Sequence, residues 1–80
     1  MINIRFDTYQ ALEQANSKQL TKFVLIILNK NIPMEDAFAH RSKYIFQVRH
    51  LLELMNQYEL EKIHKVLVKN NLVTPPIVPL

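Results

Sequence analysis

Residues 20–28 read LTKFVLIIL and contain the longest purely apolar run of the chain, Phe23 to Leu28. On a helix at about 100° per residue, Leu25 and Ile26 point away from the inner stripe, so this helix is apolar nearly all round. Such a helix is buried on more than one side. A chain of 80 residues can hardly bury it alone, so we expect the protein to form a homodimer.

The same run is too short to cross a membrane, because a transmembrane helix needs about 20 apolar residues. The N-terminal stretch MINIRFDTYQ carries an acidic residue and lacks the apolar core of a signal peptide. Hydrophobic residues make up 49% of the chain and charged residues 21%, which is typical of a globular protein and not of a disordered one. We therefore expect a cytoplasmic protein with no membrane partner.

The composition excludes several classes of functional site. Because the chain has no Cys, it cannot form a disulfide, a zinc knuckle or a thiol nucleophile. Because it has no Gly, it cannot build a P-loop, a dinucleotide-binding turn or a nucleophile elbow. The formal net charge of +3 is compatible with nucleic acid or an acidic protein surface as the partner.

The N-terminal residues alternate between apolar and polar side chains. Ile2, Ile4 and Phe6 are separated by polar residues, and this is the period of two expected of a strand with one buried face. A single short strand is unstable by itself. Residues 2–6 therefore either pair with the same segment of a second chain or form an extended lead-in lying on the helices.

Apolar periodicity and capping residues predict a mainly α fold for the rest of the chain. Asp7 followed by Gln10 is typical of a capping box, as is Asn56 followed by Glu59, and Pro33 suits the first position of a helix. We predict one helical domain, residues 1–72, with an extended segment over 2–6 and about four helices, near 8–16, 18–30, 33–55 and 57–70. A single helix over 8–30 is the alternative.

Three further expectations concern the second half of the chain. Arg41 falls on the apolar face of the third helix, which predicts a kink around residues 40–42. In the fourth helix the inner positions are Leu60, Ile63, Val66 and Leu67. Residues 73–80 contain three prolines and are expected to form an extended tail.

Side chains that could carry chemistry are few and scattered. The three imidazoles, His40, His50 and His64, do not combine with carboxylates into the ligand set of a metal site, and Asp36 with His40 is more simply a surface i,i+4 pair. Most of the seven acidic residues lie at predicted helix starts, where capping and the helix dipole account for them. We predict a protein that is not an enzyme and that uses no cofactor, metal or small-molecule substrate.

The outer side of the third helix carries an aromatic residue among basic ones. The predicted core stripe of this helix includes Tyr44, Val48 and Leu52. Lys43, Phe46, Arg49 and His50 lie opposite this stripe. An aromatic ring among cations suits a protein-binding hot spot or contact with a nucleic-acid backbone. The structural alternative is that this helix is sandwiched in a dimer and that Phe46 belongs to the core.

The first third of the chain resembles the ribbon-helix-helix DNA-binding family of Arc and MetJ-type repressors over residues 2–30. Residues 2–6 resemble the ribbon strand, and LTKFV at residues 20–24 resembles the start of the second helix. The resemblance implies that Asn3 and Arg5 contact bases, and that Thr21 with Lys18 and Lys22 holds a phosphate. The glycine usual before the second helix is absent, and residues beyond 30 have no counterpart in the family's minimal domain.

Two functional classes follow. The first is a dimeric DNA-binding transcriptional regulator of bacterial, plasmid or phage type, using Asn3, Arg5, Lys18, Thr21 and Lys22. The second is a helical protein-protein interaction module, an inhibitor or adaptor, which binds a protein partner through Lys43, Phe46, Arg49 and His50. A purely structural subunit is a third possibility. Whether residues 2–6 form a two-stranded ribbon across a dimer axis distinguishes the first class from the second.

Overall fold

The computed structural model describes residues 3–75, and over this range the chain is mainly helical. We number five helices in chain order: α1 (Ile4–Glu13), α2 (Ser17–Phe23, continued by a π-helical segment Val24–Leu28), α3 (Met34–Ala39), α4 (Arg41–Leu54) and α5 (Gln57–Lys69). The sequence predicted about four helices, and the fifth arises because the predicted third helix is two. None of the helices within residues 3–75 is both long and apolar enough to cross a membrane.

The apolar stretch in and after α2 lies at the centre of the fold. Leu20, Phe23, Val24 and Ile27 are buried in the core. Helices α3, α4 and α5 all pack against α2 or its π-helical continuation, and Leu25 remains 48% exposed. Helices of the same chain therefore supply most of the cover that the sequence analysis assigned to a second subunit. The homodimer stays a prediction.

The N-terminus differs from its expected course. Residues 4–6 form the first turn of α1, whereas the sequence analysis expected them to be extended and the helix to begin at Thr8. The Asn3 side chain caps α1 by accepting a hydrogen bond from the Phe6 N–H at 3.0 Å, so Asn3 and not Asp7 is the N-cap. Helical spacing then aligns Ile4, Thr8 and Leu12 toward the other helices, which favours the helix over an unpaired strand. Ile2 lies outside the described residues.

Two reciprocal capping boxes fix the starts of α2 and α5. The Asn16 side chain accepts from the Gln19 N–H, and the Gln19 side chain accepts from the Asn16 N–H, both at 2.8 Å. Asn56 and Glu59 make the same pair of bonds at the start of α5, as predicted from the sequence. Residues 8–30 are therefore two helices and not one.

The predicted third helix is interrupted at His40, where the sequence predicted a kink. His40 has φ −122° and ψ 38°, and it separates α3 from α4. Arg41 then reaches the end of α1, donating to the carbonyl oxygens of Ala15 and of Glu13, the latter at 2.6 Å. These carbonyls have no partner within α1, so the guanidinium group caps its C-terminus.

The C-terminal part of the fold shows one error in the predicted pattern. In α5, Leu60, His64 and Leu67 are buried, whereas Val66, which was predicted to point inward, is exposed. Beyond α5, Leu72 and Val73 are buried against the core. Of the predicted proline-rich tail, residues 76–80 lie outside the described residues.

Asparagine takes the place of glycine at two left-handed backbone positions. Asn29 ends the π-helical segment with φ 54°, and Asn71 follows α5 with φ 60°. An L-residue with a Cβ is disfavoured there, and Asn is the residue that best tolerates the conformation after Gly.

We expect Asn29→Ala to lower the free energy of unfolding by about 1 kcal/mol, because Ala tolerates the left-handed conformation less well than Asn does. Asn29→Gly should leave the free energy of unfolding unchanged or raise it. Urea denaturation followed by circular dichroism measures both variants. Equal stability of the Ala and Gly variants would contradict the expectation.

Candidate protein-interaction surface

Helix α4 has one buried side and one exposed side. Tyr44, Val48 and Leu52 face the core. The side opposite them is exposed and carries Lys43, Phe46, Arg49, His50 and Glu53. We call these five residues the α4 outer surface.

Phe46 is the largest apolar group on this surface, and 70% of it is exposed. Its ring stacks on the His50 ring one turn later, with centroids 6.1 Å apart and planes 3° from parallel. The i,i+4 spacing on a helix places the two rings side by side. The exposed side of α4 therefore presents two aromatic rings together.

Arg49 is held in place by α1. Its Nη1 lies 2.9 Å from the Glu13 carboxylate, and its guanidinium group lies over the Tyr9 ring, 4.6 Å from the centroid. Its Nε is also 3.8 Å from the Glu53 carboxylate. Arg49 is one of the basic groups predicted for this surface, but the carboxylates of Glu13 and Glu53 balance its charge. The surface therefore carries less net positive charge than its basic residues alone suggest.

A shallow groove of about 370 Å³ runs beside Phe46, between α1 and α4. It is lined by Glu13, Ser42, Ile45, Phe46 and Arg49. The Phe46 ring and the Arg49–Glu13 ion pair thus border one concave feature. An apolar anchor beside a polar rim is the arrangement found in protein-binding hot spots.

Two buried polar atoms of α1 side chains have no hydrogen-bond partner among residues 3–75: the Tyr9 hydroxyl oxygen and the Arg5 Nε. Burial raises the pKa of Tyr9, and the negative charge of Glu53 raises it further against the opposing effect of Arg5 and Arg49. The other end of the Arg5 guanidinium group donates to the Met55 carbonyl oxygen at 2.8 Å. Arg5 therefore ties the start of α1 to the junction between α4 and α5.

A second tyrosine joins α3 to α4. The Tyr44 hydroxyl donates a hydrogen bond to the Asp36 carboxylate, and this bond raises the pKa of Tyr44, with burial and the charge of Asp36 adding to the effect. His40 Nε2 lies 3.8 Å from the same carboxylate. Asp36 thus holds the two helices together across the break at His40.

The residues predicted to contact DNA make their hydrogen bonds in separate places. Asn3 caps α1, and Arg5 is bound to Met55. Thr21 donates its hydroxyl to the Lys18 carbonyl oxygen at 2.6 Å, while Lys18 and Lys22 are exposed on α2. Within the described residues, no hydrogen bond joins Asn3 or Arg5 to these α2 residues, and the DNA-contact roles stay predictions.

The residues of the α4 outer surface were predicted from the sequence, whereas the residues that α1 contributes were not. Glu13 contacts Arg49 although the two are 36 residues apart in the sequence, and Tyr9, which contacts Arg49 as well, lies even earlier in the chain. Periodicity within one helix does not reveal such a contact, because it depends on how α1 packs on α4. Among residues 3–75, no three His, Asp or Glu side chains come together as a metal site requires.

Comparison with models of protein families, with curated proteins and with solved structures finds no match to this chain.

The two tyrosines should respond oppositely to loss of the hydroxyl group. Tyr9→Phe removes a buried hydroxyl that has no partner in residues 3–75, so the free energy of unfolding should stay the same or rise by about 1 kcal/mol. Tyr44→Phe removes the hydrogen bond to Asp36 and should lower the free energy of unfolding. Urea denaturation at neutral pH measures both variants.

The Tyr44 effect should depend on pH with a definite sign. Because the pKa of folded Tyr44 lies above its ordinary value of 10.0, the stabilisation is present below pH 10 and is lost as the pH rises through the folded pKa. The difference in free energy of unfolding between wild type and Tyr44→Phe should therefore become smaller in alkaline buffer. A difference that becomes larger in alkaline buffer would contradict the stabilising role of the Tyr44–Asp36 hydrogen bond.

Proposed function

We propose that this protein acts by binding another protein chain through the α4 outer surface, without catalysis and without a cofactor. Phe46 is the anchor of this interaction, and Arg49 and His50 orient it. Lys43 and Glu53 lie at the two ends of the contact.

The observation that carries the proposal is the exposure of Phe46 together with its stacking on His50. A phenyl ring that is 70% exposed contributes little to the stability of the isolated chain, yet stacking on His50 restricts its orientation. Arg49 is likewise restrained by Glu13 and Tyr9. Side chains that are ordered before binding lose less conformational entropy on association, so an anchor of this kind gives affinity at small cost.

Charge favours a protein partner over nucleic acid for this surface. Nucleic-acid affinity comes mainly from cations that neutralise phosphates. On the α4 outer surface Arg49 is paired with Glu13 and with Glu53, so Lys43 is the cation of the five residues that makes no ion pair within residues 3–75. A surface with one such cation beside a carboxylate is poorly suited to a polyanion.

DNA binding remains a second proposal, supported by Lys18 and Lys22. Both are exposed and four residues apart on α2, so they lie on one side of that helix. If they hold phosphates, Lys22→Ala should weaken binding to all DNA sequences alike and reduce the salt dependence by about one counterion. Fluorescence anisotropy with genomic fragments at low salt measures this. Absence of binding at low salt would remove the proposal.

Two exposed phenylalanines provide a matched test of the α4 outer surface. Phe46 is 70% exposed and Phe38, on α3, is 77% exposed, so replacing either with Ala should change the free energy of unfolding of the monomeric chain by less than about 0.5 kcal/mol. Only Phe46→Ala should abolish partner binding. Denaturation curves and binding assays on both variants measure the two effects.

Site-specific crosslinking identifies the partner. A benzophenone amino acid at position 46, expressed in the source cells, should form a protein adduct that the same amino acid at position 38 does not form. Adducts formed equally from both positions, or from neither, would overturn the proposed function. A large loss of stability in Phe46→Ala at a concentration where the wild-type chain is monomeric would also overturn it, because Phe46 would then belong to the core.

A further inference from the structure

The exposed residues of α4 form a stripe with the spacing of a helix–helix seam. Lys43, Phe46, His50 and Glu53 are separated by three, four and three residues. At 3.6 residues per turn they fall within an arc of about 80°, and the middle of this arc lies opposite the buried positions. Spacings of three and four place side chains along the line where two helices meet in a coiled coil.

The chemistry of this stripe is symmetric about its own centre. Phe46 and His50 lie two residues on either side of Val48, and Lys43 and Glu53 lie five residues on either side of it. The inner pair is aromatic and the outer pair is oppositely charged. Two copies of α4 that pack antiparallel, with a two-fold axis at the level of Val48, would place each member of a pair against the other member in the second copy.

We infer that the partner of the α4 outer surface is a second copy of this chain, bound antiparallel through α4. This inference rests on the proposed function and names its partner. Phe46 then contacts His50 of the partner subunit, and Lys43 pairs with Glu53 of the partner subunit. Each contact occurs twice, as a closed two-fold interface requires.

The outer charges are available for this pairing. Lys43 makes no ion pair within residues 3–75, and its ammonium group lies 5.4 Å from the centroid of the Tyr44 ring. Glu53 is 55% exposed and lies 3.8 Å from Arg49, whereas Arg49 is closer to Glu13, at 2.9 Å. The stronger partner of Arg49 is therefore on α1, and the Glu53 carboxylate can accept Lys43 of the partner subunit.

The same residues disfavour the parallel arrangement. Parallel packing in register would place Lys43 against Lys43 and Glu53 against Glu53, and like charges directly opposite each other destabilise a contact. Antiparallel packing replaces both repulsions with attractions. It also brings the two Phe46–His50 stacks together as four rings around the axis, which gives the apolar centre that a stable contact needs.

Charge reversal tests the pairing directly. Lys43→Glu places a carboxylate opposite Glu53 at both ends of the interface, so the dissociation constant of the dimer should rise about tenfold or more. The double variant Lys43→Glu with Glu53→Lys exchanges the two charges and should restore dimerisation. Lys30→Glu, an exposed residue between α2 and α3, makes the same charge change away from α4 and should have no effect.

Sedimentation equilibrium from micromolar to submillimolar concentration measures the dissociation constants, with circular dichroism to verify that each variant is folded. A wild-type chain that stays monomeric throughout this range would overturn the inference. Failure of the double variant to recover would overturn the antiparallel pairing. A Lys43→Glu variant that dimerises like wild type would also overturn the antiparallel pairing.

The crosslinking experiment separates this inference from the proposed function. A benzophenone adduct at position 46 with twice the mass of the chain supports both. An adduct with a different protein, together with a monomeric wild type, keeps the proposed function and overturns the second-copy partner. No adduct and no dimer overturn both.

Discussion

The central constraint on this fold is the need to cover an apolar helix with few residues. Phe23, Val24 and Ile27 are fully or nearly fully buried. Helices α3, α4 and α5 pack against α2 or its π-helical continuation. Because α4 turns Tyr44, Val48 and Leu52 toward the segment, its opposite side faces away from the core. The position of the α4 outer surface is thus a direct consequence of how the core is closed.

Arginine side chains hold α1 to the rest of the fold at three points. Arg41 donates to two carbonyl oxygens at the end of α1, Arg49 pairs with Glu13, and Arg5 donates from α1 to Met55. The guanidinium group is suited to this because it is planar, carries five donors and keeps its charge. Two of these arginines bind backbone carbonyls that would otherwise lack a partner at or near helix ends. The attachment of α1 therefore combines polar contacts with the burial of Leu12 and Ala15.

Local patterns in the sequence predicted local structure well. The Asn56–Glu59 capping box and the buried positions Tyr44, Val48 and Leu52 were identified correctly, because each depends on residues within a turn or two. The start of α1 was wrong, since Asn3 and Asp7 both suit an N-cap and the alternating apolar residues also fit a strand.

Features that depend on packing could not be predicted from the sequence. In α5 the burial of His64 in place of Val66 reflects a rotation of the helix that contacts with other helices determine. The pairing of Arg49 with Glu13 joins residues 36 apart, and no periodicity within either helix indicates it. For the candidate site, the sequence identified the exposed residues of α4 but not their restraint by α1.

The absence of glycine has a consequence that concerns the unfolded chain. Asn29 and Asn71 occupy left-handed positions that glycine would take without strain, so the folded state carries a small conformational cost at each. Glycine, however, gives the unfolded chain more freedom than any other residue, and that freedom is lost on folding. A chain of 80 residues without a single glycine has fewer unfolded conformations to give up. Part of the stability of this small domain therefore comes from the restricted entropy of its denatured ensemble.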